Sequence, residues 1–116
     1  MPQTIDDLFG PVAAKTLDVQ PPGAAKAVLF RSPSFAEWYE LTTDHRKLEG
    51  KDPPPELITK TVAAVLANAD GSRRLSPQEA SVLLKADSQL VMWLYVHAWQ
   101  TVLKGDDQVV RDHEKN

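Results

Sequence analysis

The stretch Ser76 to Lys104, SPQEASVLLKADSQLVMWLYVHAWQTVLK, constrains the fold more than any other part of this chain. It holds two of the three tryptophans and the densest apolar run. Ser76, Pro77 and Glu79 spell a capping box, with proline at the first helical position, where its missing N–H costs nothing. A helix over Pro77 to Lys85 follows, with Val82, Leu83 and Leu84 as its expected apolar side. Lys85-Ala86-Asp87-Ser88 interrupts the pattern, and Asp87 or Ser88 can cap a second helix over Gln89 to Lys104. Gly105 suits the left-handed position just past a helix end.

The second helix has little polar surface. Gln89, Trp93, His97, Gln100 and Lys104 follow i, i+4, i+3 spacing and form one narrow stripe. Apolar residues cover the rest, including Val91, Met92, Leu94, Val96, Ala98 and Trp99. Such a helix must be buried in its own domain or against a partner. A chain of 116 residues supports one domain with a modest core, which can hardly wrap a helix completely. The element therefore reads as core and interface together. The stripe is its expected outward side, and Trp93 the candidate anchor for a partner or for self-association. The competing assignment packs Trp93 under the N-terminal segment. The helix is no membrane span, because its apolar run stops at His97, short of the roughly 20 residues needed.

Upstream, Met1 to Gly23 reads as a flexible arm. Thr4 can cap a single turn through Leu8 and Phe9, Gly10-Pro11 ends it, and Pro21-Pro22-Gly23 marks a boundary. A short binding motif around Leu8 and Phe9 is the alternative, set against the inability of one turn to hold itself together. Val28-Leu29-Phe30 favours a strand with no obvious partner. Ser34 and Glu37 form another capping box, and Phe35, Trp38, Tyr39 and Thr42 fall on one face of a helix running towards Leu48. Trp38 and Tyr39 read as core. Glu49 to Pro55 is a proline-stiffened linker. Glu56 to Ala67 is the next helix, with Leu57, Ile58, Thr61, Val62, Val65 and Leu66 as its stripe. Asn68-Ala69-Asp70-Gly71 is a turn, and Asp106 to Asn116 a polar tail. The expected fold is thus mainly α: an N-terminal arm (1–23), a single helical domain of about four helices (24–105) and a polar tail (106–116).

The sequence offers no catalytic site, metal site or cofactor motif. A calcium loop with Gly71 at its glycine position would need Leu66 and Pro77 as ligands, and neither can coordinate the ion. His45, His97 and His113 share no i, i+4 spacing, and no cysteine supplements them, so nothing marks a zinc site. The lack of cysteine also excludes disulfides and thiolate chemistry. No glycine-framed serine, phosphate loop or dinucleotide fingerprint is present, and Asp106-Asp107 read as solvated carboxylates. A DNA-binding helix–turn–helix at Ser76 to Leu103 fails on chemistry. Its recognition helix would offer Val, Met, Trp, Leu and Tyr where Arg, Lys, Asn or Gln are needed. With a net charge of −3 and scattered basic residues, the chain should bind protein and not nucleic acid. No basic-then-apolar leader opens the sequence, so no secretory signal is expected.

The order of these features resembles a known family. FRSPSFAEW leads into a helix, NADGSRRLS follows a second helix, SPQEASVLL begins a third, and an apolar helix and an ending EKN complete the series. This is similar to the small tail assembly chaperones of long-tailed bacteriophages and prophages. Arg31, Pro33, Ser34, Asp70, Gly71, Leu75 and Ser76 take the places of that family's motif residues. Leu75 stands where many members have an aromatic residue, and Pro77-Gln78 where acidic residues usually follow. The resemblance spans about Leu29 to Asn116. It implies a non-enzymatic protein of the host bacterial cytoplasm that coats the tape measure protein, keeps it soluble and recruits tail tube subunits. Two other classes fit the same features: a structural head–tail or tail-completion protein of the virion, and a small helical regulator of a host protein.

Overall fold

The computed structural model describes residues 3, 4, 7, 8 and 16–103. Lys104, Gly105 and the polar tail lie outside the described residues, as does most of the expected arm before Thr16. The described chain is helix-rich, as expected, but mixed: a small sheet corrects the expectation of helices alone. A three-stranded antiparallel sheet in the order β1-β2-β3 joins the helices. Strand β1 is Thr16–Val19, β2 is Val28–Arg31 and β3 is the two residues Leu66–Ala67.

The arm boundary at Gly23 therefore moves. Thr16–Val19 pairs with β2 in the register Leu17↔Phe30 and Val19↔Val28. Val19 and Pro21 are buried. The loop between the strands turns at Gly23, which has φ 79°, and is tied by a bond from Gln20 Nε2 to the Ala24 carbonyl at 2.9 Å. The strand over Val28 to Arg31 has partners after all, one on each side.

Helix α1 spans Phe35–Arg46 and helix α2 spans Pro55–Val65. The Ser34/Glu37 capping box is made in both directions, at 3.2 Å each way. Its inward face runs through Trp38, Leu41, Thr42 and His45, not through Phe35 and Tyr39. Helix α2 starts on Pro55, one residue before the expected Glu56, and ends at Val65, two residues early. Leu66 turns to extended backbone, φ −70° and ψ 134°, so that Phe30 pairs with Leu66 and Leu29 with Ala67. Apolar residues continue from helix to strand without a break, which is why the sequence pattern does not show the boundary. Every residue from Thr61 to Ala67 is buried.

Asn68 to Ser72 forms the expected turn. Asp70 Oδ1 accepts the Ser72 N–H at 2.9 Å, and Gly71 takes φ 86°, a left-handed conformation that glycine adopts without strain. Pro77–Lys85 is a 3₁₀ helix, not an α-helix. With about three residues per turn, only every third side chain faces inward. Those are Ala80, Leu83 and Ala86, leaving Val82 and Leu84 exposed. Helix α3, Ser88–Gln100, is capped by Asp87, whose Oδ1 accepts the Gln89 and Leu90 N–H groups. It ends four residues before Lys104. Thr101 turns its hydroxyl back onto the His97 carbonyl at 2.7 Å, and the Leu103 N–H reaches the Ala98 carbonyl at 2.9 Å, burying Leu103 completely.

The core gathers Val19 and Phe30 from the sheet, Leu41 from α1, Val62 and Val65 from α2, and Val91, Leu94 and Ala98 from α3. Among the described residues, no helix is long and apolar enough to cross a membrane.

Candidate partner-binding surface

Two of the sequence segments quoted for the resemblance, FRSPSFAEW and NADGSRRLS, meet at one carboxylate. Glu37 Oε1 caps α1, while Glu37 Oε2 accepts from the Arg31 guanidinium on β2 and from Arg73 at 3.0 Å, across the turn after α2. Burial pushes the Glu37 carboxyl up, but the bond and charge of Arg31 and the Ser34 cap outweigh it, and its pKa lies below the ordinary 4.5. Arg73 Nε donates to the Leu75 carbonyl. Capping alone therefore does not explain Glu37, which clamps sheet, helix and turn together. These residues build the scaffold, and a binding surface has to be sought elsewhere.

His45 and His97, the two histidines among the described residues, also have structural positions. His45 Nδ1 lies 2.6 Å from the Leu41 carbonyl, which can only accept, so this nitrogen carries the proton. In that tautomer Nε2 accepts from the Tyr95 hydroxyl at 2.8 Å. The His45 ring also stands edge-on to Trp99, with centroids 4.7 Å apart. This cluster ties the end of α1 to α3. His97 stacks on Trp93 at 4.6 Å and 13°, and its ring lies 6.0 Å from that of the buried Phe30.

That stack decides where the expected stripe sits. Gln89 and Gln100 are exposed, Trp93 and His97 are half-buried, and Lys104 is outside the described residues. Trp93 is not an exposed anchor in a polar frame. The outward face of α3 is turned by about half a residue and runs through Gln89, Met92, Val96 and Gln100. Met92 and Val96, expected in the core, are 42% and 46% exposed. The inward face is Val91, Leu94 and Ala98, at i, i+3, i+7.

Two further apolar features emerge that the sequence pattern assigned to the core. At the start of α1, Phe35 is 76% exposed and Tyr39, one turn on, 55% exposed. Both rings lean together, and Phe35 also touches Trp38, with centroids about 6 Å apart in each pair. Trp38 is half-buried against the core and anchors this aromatic cluster to the fold. The second feature is a groove of about 170 Å³ between the start of α2, the 3₁₀ helix and the start of α3. Ile58 and Val91 line it with Leu83, Leu84 and Met92, and no charged residue does. The signal that could have found Phe35 is its position as the first residue after the cap, where a helix has just emerged from its loop.

No group of three or more His, Asp or Glu among the described residues is placed to hold a metal ion. No protein-family model, curated protein or solved structure matches this chain.

Proposed function

We propose that this chain is a non-enzymatic tail assembly chaperone that binds the tape measure protein of a phage or prophage, keeps it soluble and recruits tail tube protein, in the host bacterial cytoplasm. The observation that carries this reading is the exposed aromatic turn of α1. Phe35 and Tyr39 present large apolar rings to solvent from a helix start capped in both directions, with Trp38 touching Phe35 and packed against the core. Exposed aromatics on a rigid element suit recognition of another protein's apolar surface at low ordering cost. The charges beside them are already committed. Glu37 holds Arg31 and Arg73, and Lys60 holds Glu40 and Asp44 at 3.1 and 2.9 Å. Contact made there is apolar, as covering a long amphipathic partner requires.

The test is co-expression with the tape measure protein encoded beside this chain. A several-fold rise in that protein's soluble fraction is expected. No change with the true partner would sink the reading, and finding the chain in purified virions would replace it with the structural head–tail or tail-completion role.

A further inference from the structure

The sheet has two edges, and the chain closes one of them. Along β3, Ala67 bridges to Arg73, and the Arg74 N–H donates to the Leu66 carbonyl at 3.0 Å, so the returning turn covers that side. Along β1, no described residue bonds to the outer side of Thr16–Val19. In an antiparallel pair, alternate residues aim N–H and C=O away from the partner strand. Strand β1 therefore offers backbone donors and acceptors outward, at a spacing that another extended chain matches. Its side chains say what that chain should carry. Residues opposite one another in the pair share a face of the sheet. Leu17 lies opposite the fully buried Phe30, and Val19, two residues on, is itself buried. Leu17 is nevertheless 40% exposed, because the core-side row of side chains runs out at β1. An added strand with an apolar residue beside Leu17 continues that row. Asp18 is on the opposite face, exposed on this edge, with no hydrogen bond or ion pair among the described residues. A Lys or Arg beside it supplies the missing partner. A second copy does the reverse: edge-to-edge pairing would bring two Asp18 carboxylates together in chains that each carry a net charge of −3.

We infer that β1 is a strand-addition site for an extended segment of another protein, in which an apolar residue beside Leu17 alternates with a basic residue beside Asp18. Main-chain bonds give such a contact its affinity, and the alternation gives it selectivity. The contact uses neither Phe35 nor Tyr39, so it stands or falls separately from the chaperone reading. A four-residue edge makes few bonds, and the complex is accordingly weak and fast to exchange.

The probe is the capped peptide Thr-Val-Lys-Val-Thr, which reads the same in both directions and so places its Lys beside Asp18 in parallel or antiparallel pairing. Titrated into the isotope-labelled full chain, it should shift the amide resonances of Thr16 to Val19 more than any others. It should bind at least fivefold more tightly than Thr-Val-Glu-Val-Thr. Asp18→Lys should invert that order with circular dichroism unchanged, since the Asp18 side chain already faces water. Of two Lys peptides N-methylated on alternate residues, one in each phase, one should lose binding, because it can no longer donate to the edge. Loss in neither would mean that backbone pairing is not used and would overturn the proposal. Shifts centred on Phe35 and Tyr39, equal binding of the Lys and Glu peptides, or no binding at about millimolar peptide would overturn it as well. So would protection of every β1 amide from hydrogen exchange before peptide is added, which would mean that a second copy or the residues before Thr16 already cover the edge.

Discussion

Helices α2 and α3 are both rich in apolar residues, yet they are buried to very different degrees. Helix α2 and the strand it runs into are buried on every side from Thr61 to Ala67. Helix α3 buries only Val91, Leu94 and Ala98. The difference lies in side-chain size. The buried run TVAAVLA is small, so β2, the 3₁₀ helix and α3 can all approach the backbone of α2 and its extension closely. Its one polar side chain there, Thr61, satisfies its hydroxyl on the Leu57 carbonyl at 2.7 Å. Helix α3 carries Met, three large aromatics and His, whose bulk a domain this small can cover from one side only. Hydropathy marks both helices as candidates for the centre, and volume decides between them.

A buried charge should separate the two helices most sharply. Ala63 is fully buried, and Ala63→Asp should cost more than about 4 kcal/mol and leave the domain unfolded. Val96→Asp on the outward side of α3 should change stability by no more than about 0.5 kcal/mol. Chemical denaturation of the two variants checks this. Equal losses would mean that α3 is covered after all.

Phe30 bridges the two regions, fully buried on β2 with the His97 ring of α3 beside it. Phe30→Ala should cost about 3–5 kcal/mol, measured by urea unfolding. A small loss would show that the sheet contributes little to the core.

The Glu37 clamp lies outside both helices and should respond to acid. Its folded pKa is lowered, so its contribution is present above 4.5 and disappears as pH falls through the folded value. Glu37→Gln should cost about 2 kcal/mol at neutral pH, because two arginines lose their shared acceptor, and should flatten the loss of stability below about pH 4.5. Asp70 and Glu79 are also lowered, chiefly by their bonds to Ser72 and Ser76, so some acid dependence remains. A full acid transition in the variant would contradict the assignment to Glu37.

Trp93→Ala should fall near 2 kcal/mol, between a fully buried and a fully exposed ring, because Trp93 is half-covered and stacked on His97. Thermal melts of Trp93→Ala beside Trp99→Ala check this. A loss near zero would return Trp93 to the surface role first expected of it.

What the sequence made legible follows from how local each feature is. The Ser34/Glu37 and Ser76/Glu79 boxes and the Asp87 cap depend on residues two or three apart, and all are formed. The sheet depends on pairings such as Phe30 with Leu66, 36 residues apart, through strands of four and two residues that carry almost no pattern of their own. The 3₁₀ geometry of Pro77–Lys85 shares its cap with an α-helix and differs only in which residues face inward. The candidate surface was the least legible. On a helix apolar nearly all round, the polar stripe does not mark the outward side, because His97 is drawn inward by Trp93 and Phe30. On α1, a face drawn through Phe35 and Tyr39 lies one step off the face the core selects at Trp38, Leu41, Thr42 and His45.

The central claim is that the aromatic turn of α1 is a binding surface and not unfinished core. Phe35→Ser/Tyr39→Ser tests it in the intact chain. Binding of the double variant to the tape measure protein, measured by pull-down alongside a thermal melt, should fall at least tenfold with the melting temperature held within a few degrees. Undiminished binding, or a variant that no longer folds, would contradict it.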